Sequence, residues 1–91
     1  MADYKQLDEQ LQAARAATRA ALALYEALHA LWKEMLDARV AKRASKYAVM
    51  LVERRMNAAW EQYQAARAVE NEARAASDAE FQRFLDTLRN E

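Results

Sequence analysis

The chain has 91 residues, 14 basic and 14 acidic side chains, and no cysteine, glycine or proline. Balanced charge argues against a generic nucleic-acid binder and against an acidic disordered tail, and the lack of cysteine removes any disulfide frame or thiolate site. With 23 alanines, four valines and no isoleucine, nearly every residue is a good helix former, so one all-α domain over 1–91 is expected.

The first element is a helix over about 3–40. Tyr4, Leu11, Thr18, Tyr25 and Trp32 occupy one seam position, and Leu7, Ala14, Ala21, Leu28 and Met35 the other. This alternating three-four spacing is that of a coiled coil. Asp3 with Gln6 three residues later forms a capping-box pattern at its start. The next seam members are Arg39 and Lys42, so the apolar seam ends there.

A turn is expected at about 41–45, with Ser45 as the cap of a second helix over about 46–90. No residue in this stretch forces a reversal. The reason to expect one is a mirror symmetry of side-chain size about residue 43. Leu28 to Leu36 would face Val49 to Met56, and the alanine run Ala13 to Ala21 would face Ala65 to Ala76. Tyr4, Leu7 and Leu11 would face the neighbourhood of Phe81 and Phe84. Small opposite small lets two backbones approach, and large opposite large fills the wider ends. The second seam starts at Val49, Val52, Met56, Ala59, Tyr63 and Ala66. It is then expected to slip to Val69, Ala73 and Ala76, as in a stammer. Ser77-Asp78-Ala79-Glu80 repeats a capping-box pattern, which leaves open a kink or a short third helix near Ser77.

The architecture read from this is an antiparallel helical hairpin. Two helices bury only a narrow seam, yet Leu22, Leu24, Leu31 and Leu36 flank the seam of the first helix. A stripe that wide belongs in a bundle of three or more helices. A second copy is the economical cover, giving a homodimeric four-helix bundle with Leu22, Leu24, Leu31, Trp32 and Leu36 at the dimer interface. A third helix from Ser77 onward is the rival cover.

Charge is unevenly placed. Residues 39–55 carry Arg39, Lys42, Arg43, Lys46, Arg54 and Arg55 against the single carboxylate of Glu53. In a hairpin they form a basic tip, opposite a base where acidic residues exceed basic ones. Such a tip docks on an acidic partner, pairs with the base of another copy, or is solvated charge around a turn. Most aromatic residues here fit a core, but Tyr47 and Met50 lie off the seam and are candidates for contact with another chain. With the six basic residues they make up the candidate partner-binding set.

Chemistry is sparsely represented. Glu26-Ala27-Leu28-His29 is half of a di-metal ligand set, with Glu53 or Glu61 as the extra carboxylate. Glu26 and Glu61 fall beside seam positions rather than on them and turn outward, so no metal is expected. His29 is the only histidine, so a histidine relay has no second member. Arg15, Arg19, Arg54, Arg67 and Arg74 could clamp an anion only if they converged inward, and most of them turn outward. No Gly-rich phosphate loop or Ser-His-Asp set is present, and neither enzymatic activity nor a cofactor is expected. The N-terminus lacks the basic-then-apolar pattern of a signal peptide, and uncharged stretches such as 20–25 are far short of a membrane span. The expected setting is the cytoplasm. The expected function is a non-enzymatic protein–protein interaction module: a small adaptor, chaperone or inhibitor. The rival reading is a regulator that binds nucleic acid or an anionic membrane surface through the tip at 39–55.

Overall fold

Alanine, leucine, glutamate and arginine lose little freedom in a helix, and the chain has no glycine or proline to interrupt one. A computed structural model, which describes residues 4–42 and 44–90, folds into two long helices. These are α1 (Tyr4–Val40) and α2 (Lys46–Arg89). They pack side by side as an antiparallel hairpin, 73 Å along its longest dimension. Asp3, named above as the cap of the first helix, and Arg43 lie outside the described residues.

The reversal falls where the seam runs out of apolar residues. After Val40 the Ala41 amide still donates to Asp37, but the Lys42 amide reaches back only three residues, to Arg39 (2.9 Å). Lys42 itself is left-handed, with φ of 59°. Glycine usually takes that position after a helix, because a Cβ crowds the carbonyl there. Ser45 then starts α2 as expected, with its Oγ accepting from the Ala48 amide at 3.1 Å.

Across the hairpin the size symmetry is realised. Trp32 meets Glu53, Tyr25 meets Trp60, and Arg15 meets Glu70. Tyr4 lines one cleft with Phe81 and Phe84. The pairs are centred between residues 42 and 43, and Phe81 keeps the same register at the far end. Leu7, Leu11, Ala14, Val49 and Ala59 are buried, and the other α1 seam residues from Thr18 to Met35 are half-buried. Thr18 fits the seam because its hydroxyl donates to the Ala14 carbonyl at 3.0 Å. α2 continues beyond the start of α1, which leaves Leu88 exposed.

Two expectations for α2 are corrected. Its seam does not slip at Val69. That residue is 57% exposed, and Ala76 is exposed too. The uninterrupted heptad runs on through Glu70, Ala73, Ser77 and Glu80, all half-buried. A stammer overwinds the helix locally. The chain avoids that strain by accepting a carboxylate on the seam, with Arg15 at 4.0 Å and Arg74 at 3.9 Å beside it. Nor does the chain break near Ser77, since α2 passes straight through. In a capping box Glu80 would reach back to the Ser77 amide. Here its carboxylate instead accepts from Arg83 at 3.0 Å. The segment after Ser77 therefore stays beside Tyr4, at the opposite end from Leu31, and is no cover for the wide stripe.

Candidate interaction surfaces

Three surfaces follow from this arrangement. The first is the tip. Arg39, Lys42, Lys46, Tyr47, Met50, Arg54 and Arg55 are all exposed, Tyr47 to 69%. Among the described residues none of these five arginines and lysines lies within 4.0 Å of a carboxylate. The set is not one patch. Tyr47 and Arg54 are seven residues apart on the outer side of α2, whereas Arg55 turns onto a groove with Leu24, Leu28, Ala58 and Gln62.

The second surface is one broad side of the hairpin. Leu24 and Leu31, both more than 40% exposed, lie on it with Ala13 and Ala17 from α1. Val69 and Ala76 of α2 line the same groove as those alanines, and helical spacing adds Leu51. The side is therefore mostly apolar, with Gln10, Arg55, Gln62 and Glu72 among its lining residues.

The third surface is the opposite side. A ladder of rings runs along it: His29 stands 5.7 Å from Trp32 and 5.9 Å from Tyr25, Tyr25 5.0 Å from Trp60, and Trp60 5.4 Å from Tyr63. The Tyr63 hydroxyl accepts from Arg67 at 3.3 Å. Around the ladder the surface is polar, with Gln64 and Asn71 beside Arg67.

The residues named for the dimer interface do not share a side. Two residues along a helix is a rotation of about 200°. Leu24 and Leu31 thus face the apolar side, while Leu22 and Leu36 turn toward the ring ladder, where the hairpin half-buries them. Trp32 lies in the seam between, with its Nε1 donating to Glu53 at 3.0 Å. That bond occupies the carboxylate named as an extra metal ligand. Among the described residues no three histidine, aspartate or glutamate side chains gather to hold a metal. The candidate clamp arginines do not converge either: Arg15 and Arg74 flank Glu70, and Arg67 serves Tyr63.

Glu70 is the residue sequence reasoning missed. Its signal was available, because the seven-residue spacing of Val49, Met56 and Tyr63 lands on it. No helix among the described residues is long and apolar enough to cross a membrane. Comparisons with protein-family models, with curated proteins and with solved structures found no match.

Proposed function

We propose that the chain is a non-enzymatic protein–protein interaction module of the cytoplasm, a small adaptor, chaperone or inhibitor that acts through helical surfaces and self-associates as a four-helix bundle. The observation that carries this reading is the apolar surface the hairpin leaves uncovered. Leu24 and Leu31 are 48% and 42% exposed on one side, and Tyr47 and Met50 stand out near the tip. Burying a leucine side chain contributes roughly 1.5–3 kcal/mol, a large share of what holds a small domain folded. Contact with protein recovers that energy.

Self-association is tested by light scattering across a wide concentration range, with helicity followed in parallel. A dimer supports the bundle, and a strict monomer of unchanged helicity overturns it. The tip is tested by capture from the native host with the unmodified chain and with a Tyr47→Ala, Met50→Ala variant. A partner held by the first and lost by the second supports the reading.

A second reading is favoured by the exposed basic residues at the tip, which among the described residues have no carboxylate within 4.0 Å: binding of nucleic acid or an anionic membrane surface. Its measure is salt dependence. Phosphate contacts make binding fall steeply between about 50 and 200 mM salt, and reversal of Arg39, Lys42 and Lys46 to glutamate abolishes it without loss of helicity. Binding that survives the reversal sinks this second reading.

A further inference from the structure

We infer that the apolar side bearing Leu24, Leu31, Leu51 and Val69 takes a second copy of this chain in antiparallel orientation, about a twofold axis at the level of Leu22 and Tyr63. The inference rests on the reading of the chain as a self-associating module and states which face and which register that association uses.

The first ground is self-complementarity along α2. When two copies pack this side together antiparallel, each helix runs against its own counterpart. A twofold axis passing between Tyr63 and Gln64 then sets Leu51 against Ala76 of the other copy, and Ala58 against Val69. The same axis sets Arg55 against Glu72. Each large apolar residue meets an alanine, and the arginine meets a carboxylate. All of these side chains are exposed in the single hairpin.

The second ground comes from α1. There the side is again exposed, and an axis at Leu22 sets Leu31 against Ala13 and Leu24 against Ala20. At the rim Gln10 comes opposite Glu34. Nothing in the first pattern requires the second to be centred at the same height. The hairpin register shows that it is. Tyr25 packs on Trp60, and Arg15 reaches Glu70, so Leu22 stands level with Tyr63. One axis therefore satisfies both helices, although their sequences differ.

The third ground is charge and size. Antiparallel packing carries each basic tip to the end of the other copy where acidic residues exceed basic ones. Parallel packing would set the two tips side by side and repel. The hairpin spans 73 by 16 Å, so one side offers about 1,000 Å² per copy, within the range of stable interfaces. The opposite side carries a polar rim of Gln64, Arg67 and Asn71 and lacks the pairing of large apolar residues with alanines. The consequence for function is bivalence: the dimer is a rod with one basic tip at each end, able to hold two copies of a partner apart.

The absence of cysteine makes the test clean. Arg55→Cys and Glu72→Cys are made as separate proteins, mixed in equal amounts, and oxidised gently or treated with a short bismaleimide. The mixture should yield a covalent dimer. Each variant alone should not, because two copies of residue 55 lie about 25 Å apart about this axis, as do two copies of residue 72. Lys42→Cys alone should not link either. Charge reversal gives an independent arm. Arg55→Glu and Glu72→Arg should each weaken the dimer about tenfold or more, and the two together should restore it. Efficient linking through Lys42→Cys overturns the antiparallel arrangement. A dimer by light scattering that fails to link in the 55/72 mixture overturns this face while leaving self-association intact. A strict monomer overturns both.

Discussion

The Trp32 indole Nε1 donates to the Glu53 carboxylate at 3.0 Å, across the hairpin and partly out of solvent. The pair sits where the large residues of both helices meet, so it couples the packing of a ring to the placement of a charge. Trp32→Ala should cost about 2–4 kcal/mol, at or below the usual loss for a core tryptophan because the ring is only half-buried. Glu53→Ala should cost about 1–2 kcal/mol, since the indole N–H loses a charged acceptor. Urea unfolding of the two single variants and the double, at one protein concentration, gives the coupling energy. A coupling near zero would mean that the bond contributes nothing to stability.

Glu70 occupies a seam position with its side chain only 15% exposed. Its neighbours Arg15 and Arg74 are loose partners, close to the distance limit of an ion pair. Replacing a poorly paired, half-buried charge by an apolar side chain is often stabilising. Glu70→Leu should therefore raise stability by about 1 kcal/mol, read as a higher urea midpoint with an unchanged slope. Were the seam carried by Val69 instead, this substitution would add an exposed leucine and raise nothing.

The turn stores a small strain beside a compensating cap. Lys42 in the left-handed region is disfavoured by about 1–2 kcal/mol, while glycine there adds entropy to the unfolded chain. Lys42→Gly should then yield a net gain of up to about 1 kcal/mol. Ser45→Ala removes the acceptor for the Ala48 amide and should cost about 1 kcal/mol. Thermal unfolding of both variants at fixed concentration checks the opposite signs.

Much of the fold was legible along the chain. The α1 seam from Leu7 to Met35, the Ser45 cap and the reversal near residue 43 all agree with the structure. The reading failed where it ranked residues by polarity. Val69 looked like a seam member and Glu70 did not, because the seam was followed by apolar character although the seven-residue spacing lands on Glu70; of the two arginines beside it, Arg74 is one turn away and Arg15 lies 55 residues earlier in the chain. The flanking leucines divide between two sides, Leu24 and Leu31 on the more exposed one and Leu22 and Leu36 on the half-buried one. Helical spacing along α1 sets that division, and the packing of α2 sets how far each side is covered.

The sequence by itself determined that this chain is helical, where its apolar seam runs and where it must turn. Those properties depend on helix propensity and on neighbours three and four residues away. Only the tertiary structure decided which polar groups the seam tolerates and which side is left apolar. Those depend on what the other helix sets across from each residue, at a distance along the chain over which local periodicity carries no information.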